Sequence, residues 1–425
     1  MKTFLLCLAL LLIPTLLPAQ PGYIEVIAPG SRQLKLVVDS PRSPDASPVS
    51  ASAKEIGDVI AFDMNISGIV AAETREQSPS GRLSLAETDL LPWVNAGYDL
   101  LVRSEYSIRG DELTVEFRLF DVPNRKMMTA KRYLGKTKDL RRFAHTFADE
   151  IMLVMTGEKG CFTTHIAFVT TRSGNKEIAI MDWDGHNFMQ LTRNGSINLN
   201  PDFSPNGREI IFTSYKRGNA DLFKRSLSST VELPVSSRSG LNITGAWSPD
   251  GSKIALSLSK DGNAEIYTIA KDGSNPVRLT INQAIEVSPV WSPNGSQIAF
   301  VSDRLGKPQI FVMNADGGNV RRLTTNGAYN VNPRWSPKGD KIAYARMQGG
   351  GFQIYTINVD GSNDTQLTTS GSSENPAWSP DGRFLAFSSR REGSDEIYVM
   401  RSDGSGQTRV SQGKGRGTQP SWQPR

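Results

Sequence analysis

The side chains best suited to chemistry in the later part of this chain are three histidines and one cysteine, namely His145, His165, His186 and Cys161. No histidine has another histidine, a cysteine or a carboxylate at the spacing of a zinc motif, so we expect no metal site and no cofactor. The segment from Asp182 to Gly185, Asp-Trp-Asp-Gly, resembles part of a calcium loop. It lacks the downstream glutamate of an EF-hand, and we predict a turn there instead.

Nucleophilic catalysis finds no support in the sequence. A Gly-x-Ser-x-Gly nucleophile turn is absent, and no histidine follows His186. A peptidase of the prolyl oligopeptidase type would need a further catalytic domain, for which the chain leaves no room. We therefore expect no enzyme activity. The net charge of +5 is mild for 425 residues and argues against a nucleic-acid binder.

An aromatic residue followed by a tight-turn sequence recurs through the C-terminal part of the chain. Phe203 opens a Ser-Pro-Asn-Gly turn, and tryptophans follow at intervals of 44, 44, 44, 43 and 44 residues, at Trp247, Trp291, Trp335, Trp378 and Trp422. Each interval holds four short apolar segments separated by turn residues. Four-stranded units at this period are typical of propeller blades, in which the repeated tryptophans are packing residues.

The strand count predicts six blades and their closure. Residues 166–170, 177–181 and 189–192 supply three strands, and residues 419–422 supply one more. Joined, they complete the sixth blade and leave no open sheet edge. The predicted fold is a small N-terminal α/β domain at residues 20–157, followed by an all-β six-bladed β-propeller at residues 162–425. This propeller has four-stranded blades.

The N-terminal segment predicts export. Residues 1–19 combine Lys2, an apolar run and a small residue at Ala19, as in a secretory signal peptide. No later stretch is apolar enough to insert in a membrane, so we expect a periplasmic protein. Cys7 would be lost with the signal peptide, which leaves Cys161 as a free thiol.

The α/β domain is predicted from the spacing of apolar residues and from the positions of turn-forming residues. Strands are expected at residues 34–38, 98–108, 112–121 and 127–134, and a helix near residues 56–64. A second helix, capped by Thr137 and ended by Gly157, carries an apolar stripe. Before the first strand, residues 21–30 form a strand-prone tether that ends at Pro29-Gly30. This tether could pair with a partner's sheet, fold back on its own domain or be a frayed terminus.

Taken together, these features resemble the TolB family of the Tol–Pal envelope system. The specific matches are residues 143–150 (Phe-Ala-His-Thr-Phe-Ala-Asp-Glu), residues 156–169 at the domain junction and residues 93–99 (Trp-Val-Asn-Ala-Gly-Tyr-Asp). They cover both predicted domains. The Trp-Ser-Pro-Asp-Gly motif alone would be less specific, because many exported propellers share it.

The resemblance implies a non-enzymatic, monomeric periplasmic scaffold that maintains outer-membrane integrity and supports envelope constriction at division. It implies that the lipoprotein Pal binds the connections around the propeller's channel mouth, at Asn200, Leu241, Thr244, Glu286, Val287, Asn332, Glu374, Asn375 and Gln419. It also implies that TolA binds the tether, at Tyr23, Ile24, Glu25, Val26 and Ile27. The alternative is an exported propeller that binds a small ligand or a glycan, which would not need a free tether.

Overall fold

The computed structural model describes residues 32–42, 51–76 and 85–425. The predicted signal peptide and the predicted TolA-binding residues of the tether lie outside the described residues. Among the residues described, no helix is both long enough and apolar enough to cross a bilayer.

A five-stranded sheet flanked by helices forms the N-terminal part. Its elements are β1 (Leu34–Asp39), α1 (Ala51–Ser67), β2 (Val70–Arg75), α2 (Leu91–Asn95), β3 (Leu100–Arg109), β4 (Glu112–Asp121), β5 (Lys126–Lys136) and α3 (Leu140–Thr156). The strand order is β2-β1-β3-β4-β5. Strand β1 is parallel to both its neighbours, and the β3-β4-β5 meander is antiparallel. The four predicted strands and both predicted helices are confirmed, whereas β2 and the short helix α2 were not predicted.

Helix α3 packs its predicted apolar stripe against the sheet. Phe147 is buried, and its ring stacks on Phe117 of β4 with centroids 4.7 Å apart. Gly157 adopts a φ of 75° and donates its N–H to the carbonyl of Leu153, which ends the helix as predicted. The predicted cap at Thr137 is wrong. A 3-10 turn at Thr137–Asp139 precedes α3, and the Thr137 hydroxyl donates to Asp111 over 2.8 Å.

The second part of the chain is a six-bladed propeller, as predicted from the repeat. Its strands are β6 (His165–Thr170), β7 (Glu177–Asp182), β8 (Met189–Gln190), β9 (Asn198–Phe203), β10 (Glu209–Ser214), β11 (Asp221–Ser226), β12 (Leu233–Ser236), β13 (Asn242–Trp247), β14 (Lys253–Leu258), β15 (Glu265–Ala270), β16 (Val277–Arg278), β17 (Glu286–Trp291), β18 (Gln297–Ser302), β19 (Gln309–Asn314), β20 (Arg321–Arg322), β21 (Asn330–Trp335), β22 (Lys341–Gln348), β23 (Gly351–Asn358), β24 (Thr365–Gln366), β25 (Ser373–Trp378), β26 (Phe384–Ser389), β27 (Glu396–Arg401), β28 (Thr408–Arg409) and β29 (Gly417–Trp422).

Blade one is built from both ends of the propeller sequence. Strand β29 pairs antiparallel with β6, and the sheet order is β29-β6-β7-β8. Blades two to six are the successive sets of four strands from β9 to β28, and each begins with its inner strand. The inner strands are β29, β9, β13, β17, β21 and β25, in the order of blades one to six.

Each inner strand ends in an aromatic residue, which a tight turn follows in blades two to six. In blade three, Gly251 has a φ of 68°, and the Ser248 hydroxyl both donates to Asp250 and accepts from the Lys253 N–H over 2.9 Å. The tryptophans pack between blades: Trp335 lies among buried residues of blades four and five, including Val312. The predicted packing role of the tryptophans is therefore confirmed. We call the end of the propeller with these turns the turn face, and the opposite end the mouth face.

A candidate binding surface at the propeller mouth

Six equivalent residues, one from each inner strand, surround the channel at the mouth face. All have a left-handed backbone, with φ between 51° and 58°, and we call them the mouth ring: Asn200, Thr244, Ser288, Asn332, Asn375 and Gln419. At each position the pairing with the next strand shifts its register, which marks a β-bulge. A left-handed backbone at a residue other than glycine is strained, and it persists only where the surrounding structure holds it. Strain of this kind is common at binding sites.

The mouth ring is polar and closely packed. Asn332 donates from its side-chain amide to Asn375 over 2.8 Å, and Gln419 accepts from the Asn200 backbone N–H over 2.9 Å. The ring encloses a cavity of only about 20 Å³, the volume of a single water molecule. The channel is therefore nearly closed here, and the mouth presents a polar floor.

Beneath the ring, two opposite charges face one another. Asp202 and Arg334 come from blades two and five, which are diametrically opposed in a six-bladed ring. Burial raises the pKa of Asp202 to about 6, although the charge of Arg334 opposes the rise. Both side chains line a cavity of about 440 Å³ that opens on the turn face.

A repeated hydrogen-bond motif holds the loops of the mouth face. In blade four, the Thr324 hydroxyl accepts from the Ile310 N–H over 3.0 Å and donates to Gln309 over 2.8 Å. The same arrangement of Thr or Ser with Glu or Gln recurs in other blades, for example between Thr368 and Gln353 over 2.7 Å. Because these groups are buried and hydrogen-bonded to one another, they hold the adjoining loops of the mouth face in place.

The structure brings together most of the predicted Pal-binding residues. Asn200, Thr244, Asn332, Asn375 and Gln419 all belong to the mouth ring. Of the other four, Leu241 is exposed, whereas Val287 is partly buried against the core of blades four and five. Glu374 is half-buried, and burial raises the pKa of its carboxyl.

Glu286 requires a correction. Its side chain is completely buried and accepts hydrogen bonds from Asn282 and Ser302, each over 2.9 Å, and from the guanidinium of Arg304. These hydrogen bonds hold the loop in place. Because the carboxylate is buried, it is not accessible to a binding partner. Glu286 lies five residues before Trp291, a position that is buried in every inner strand, whereas Glu374 lies four residues before Trp378.

A second polar cluster joins the N-terminal domain to the turn face. His145 of α3 lies with Nδ1 2.7 Å from Asp63 of α1 and Nε2 3.3 Å from Asp184, which follows β7. The guanidinium of Arg141 also pairs with Asp184, and His186 lies 3.3 Å from the same carboxylate. We call Asp63, Arg141, His145, Asp184 and His186 the junction cluster.

The charges of the junction cluster set its pKa values. Burial would lower the pKa of His145, but Asp63 and Asp184 outweigh it and raise that pKa to about 10. Burial raises the pKa of Asp63 to about 7. Burial also opposes ionisation of Asp184, yet the bonds from His145 and His186 hold its pKa far below the usual range. Asp184 is thus a buried anion surrounded by donors.

Other contacts continue the same junction. Trp183 is fully buried, with its ring 5.5 Å from that of Phe62 in α1. Arg383, beside a turn of blade six, donates to Glu158 over 3.0 Å, and Arg401 donates to the carbonyl of Ile66 over 2.9 Å. The N-terminal domain therefore packs against the turn face, away from the mouth ring.

The predicted turn at Asp182–Gly185 is confirmed, because the Gly185 N–H donates to the Asp182 carbonyl over 2.9 Å. Its carboxylates nevertheless come within 4.8 Å of a ring nitrogen of His145. The spacing of histidines and carboxylates along the sequence did not predict this cluster. The cationic guanidinium of Arg141 already binds Asp184, which disfavours a metal ion there.

Cys161 lies at the same junction. It is fully buried, and it forms no disulfide with any residue that the structure describes. Burial raises its thiol pKa well above the usual value, so the thiol is chemically protected.

Comparison with known proteins matches both parts of the chain. A family profile described as the TolB amino-terminal domain matches residues 22–128, and one described as the TolB beta propeller domain matches residues 153–425. The chain belongs to the TolB family.

Members of the TolB family are found among both curated sequences and solved structures. Over 214 residues the chain is 57% identical to "Tol-Pal system protein TolB" of Geobacter sulfurreducens, covering 49% of each chain. It is 60% identical over 208 residues to the protein of the same name from Geobacter metallireducens, covering 48% of each. The matched region thus spans about half the length of these relatives. A crystal structure of TolB from Acinetobacter baumannii superposes with a TM-score of 0.81 at 23% identity, covering 93% of this chain and 98% of that one, which shows a shared fold.

Two features of this TolB-family chain were not predicted from the sequence, namely Ser288 of the mouth ring and the junction cluster. Ser288 completes the mouth ring, and adding one 44-residue repeat to Thr244 would have found it. The junction cluster had no such signal, since Asp63 and His145 are 82 positions apart and meet only through the packing of α1 on α3.

Proposed function

We propose that this protein is a non-enzymatic periplasmic scaffold of the Tol–Pal system. In this proposal the mouth face binds the lipoprotein Pal, and the tether at residues 21–30 binds TolA. The protein thereby helps to maintain outer-membrane integrity and envelope constriction at division. The match of both domains to the TolB family carries the proposal, because curated relatives are named as Tol–Pal system proteins.

The arrangement of the two domains supports the mouth face as the Pal site. The N-terminal domain packs on the turn face through Asp184, Arg383 and Arg401. The described contacts of that domain leave the mouth face uncovered. Longer and more varied loops lie at the mouth, and such loops make better recognition surfaces than short turns of nearly identical sequence.

The size of the cavities separates the proposal from its alternative. At the mouth ring, about 20 Å³ is too small for a sugar or another organic ligand. A small-ligand function would be better served by the cavity of about 440 Å³ on the turn face, where Asp202 and Arg334 supply charged groups. The two functions therefore predict binding at opposite ends of the propeller.

Binding to a purified, lipid-free Pal domain from the same organism tests the proposal. A Leu241→Asp variant changes an exposed side chain beside the mouth ring, and a matched Leu233→Asp variant changes an exposed leucine on an outer strand. We expect Leu241→Asp to weaken the affinity about tenfold or more and Leu233→Asp to leave it unchanged. Failure of the wild-type protein to bind Pal, or equal weakening by both variants, would contradict the proposal.

A further inference from the structure

The mouth ring alone would not determine how a bound partner is rotated about the propeller axis. The loops around the ring differ between blades and can determine it. Six equivalent inner strands meet at the mouth ring, so the ring floor looks similar after each sixth of a turn. A partner that touched only this floor could bind in six settings. The residues around the rim differ from blade to blade, and the rims of blades four and one have contrasting character.

The rim at blade four exposes three large apolar side chains, although its second loop also contains Asp303, Arg304 and Lys307. The connection at residues 279–285 contains no charged residue, and within it Ile281 is 80% exposed and Ile285 is 54% exposed. Leu305, in the next loop of the same blade, is 61% exposed. Single exposed apolar residues are ordinary, but three large ones in the two loops that flank β17 make this part of the rim a candidate contact surface. We call Ile281, Ile285 and Leu305 the apolar rim.

The rim at blade one is basic. Its two mouth-face segments, residues 171–176 and 410–416, contain no acidic residue. They present four exposed cations, which we call the basic rim: Arg172, Lys176, Lys414 and Arg416. The guanidinium of Arg172 lies over the Phe188 ring, 3.8 Å from its centroid, which fixes the direction of its charge.

Several other cations of the mouth face have a carboxylate partner, whereas those of the basic rim have none among the described residues. Arg304 pairs with Glu286, Lys216 with Glu232, and Arg390 with Asp395. Within the described residues, none of the four basic-rim side chains has an ion-pair partner within 4 Å. Their charge is therefore available to an incoming molecule.

The two rims lie across the mouth from each other. The apolar rim borders β17, the inner strand of blade four, and the basic rim borders β29, the inner strand of blade one. They are three blade positions apart, which is half a turn of a closed six-bladed ring. The mouth face is thus polarised along one diameter.

We propose that this polarity selects one rotational setting of the partner, which presents an apolar patch to blade four and an acidic patch to blade one. The inference rests on the proposed function, in which that partner is Pal. Burial of apolar side chains in an interface mainly slows dissociation, whereas unpaired charges that complement the partner mainly accelerate association. The two rims therefore have separable kinetic roles.

Binding kinetics with the lipid-free Pal domain at several salt concentrations test this division of roles. An apolar-rim variant carries Ile281→Ser, Ile285→Ser and Leu305→Ser. A basic-rim variant carries Arg172→Gln, Lys176→Gln, Lys414→Gln and Arg416→Gln. A control variant removes four exposed cations from the turn face instead, by Arg208→Gln, Lys253→Gln, Lys271→Gln and Lys338→Gln.

We expect the apolar-rim variant to dissociate about 30-fold faster with an unchanged salt dependence of association. The basic-rim variant should associate about tenfold more slowly at low salt, with a flatter salt dependence, while the control stays close to wild type. If wild-type protein binds Pal but the basic-rim variant behaves like its control, the inference is wrong and the proposed function stands. If wild-type protein does not bind Pal, the proposed function itself fails.

Site-specific cross-linking tests the rotational setting directly. A photoreactive label on a cysteine introduced at Ser173 probes blade one, and a label at Gln283 probes blade four, because both positions are exposed. The native Cys161 is buried and should not compete for the label. We expect the two labels to reach different Pal peptides, acidic ones from position 173 and apolar ones from position 283. Capture of the same peptides from both positions would show several rotational settings and overturn the inference.

Discussion

His145 Nε2 lies 3.3 Å from Oδ2 of Asp184, and this contact joins α3 of the N-terminal domain to the turn face of the propeller. Neither residue reaches solvent appreciably, and Arg141 and Asp63 complete the charge balance around them. The junction between the two domains is therefore built on a buried polar network, which tolerates the loss of a single member poorly.

Replacing Asp184 with Asn should destabilise the protein strongly. The change leaves the guanidinium of Arg141 and the imidazolium of His145 without their shared anion in a buried site. Loss of one partner from a buried ion pair typically lowers the free energy of unfolding by about 3–5 kcal/mol. Urea unfolding monitored by tryptophan fluorescence measures the effect. Asp272→Asn, at an exposed turn of blade three, is the control, and equal stability of the two variants would contradict the role of Asp184.

The contribution of His145 should depend on pH in a defined direction. Its pKa in the folded protein is raised to about 10 from an ordinary value of about 6.5. A raised folded pKa contributes stability that is complete below pH 6.5 and is lost as the pH rises towards 10. The difference in unfolding free energy between wild type and His145→Gln should therefore shrink between pH 6.5 and pH 10. A difference that grows over this range would show that His145 is neutral in the folded protein.

Thr244 is the least suited residue of the mouth ring to its backbone conformation. Its φ of 51° lies in the left-handed region, which a β-branched side chain adopts at a cost and which Asn tolerates. Thr244→Asn should therefore raise the free energy of unfolding by about 1 kcal/mol. The reciprocal change Asn200→Thr, at the equivalent position of blade two, should lower it by a similar amount. If both variants shift thermal unfolding in the same direction, the strain argument fails.

The sequence predicted those features that repeat or alternate. The Trp-Ser-Pro-Asp-Gly period located six blades because each repeat must bury its tryptophan against its neighbour, as Trp335 does between blades four and five. The junction cluster could not be predicted, because Asp63, His145 and Asp184 are brought together by the docking of two domains. The pairing of Glu286 with Arg304 was also not predicted, since alternation along β17 does not show which neighbouring cation will cover the carboxylate.

Deleting residues 21–28 tests the proposed tether. The segment lies outside the described residues. We expect the deletion to abolish capture of TolA while leaving Pal affinity and the melting temperature nearly unchanged. Both binding assays use the same purified protein with its signal peptide removed. TolA binding that survives the deletion would remove the tether from the account.

Hydrogen exchange with and without the Pal domain tests the central claim, that the mouth face is the Pal site. The account predicts slower exchange on Pal addition in the mouth connections, which include residues 197–200, 241–244, 285–288 and 329–332. Turns on the opposite face, such as those at Gly251 and Gly295, should exchange as they do in the free protein. Protection confined to the turn face, or no protection in the mouth connections of a complex that has formed, would contradict the account.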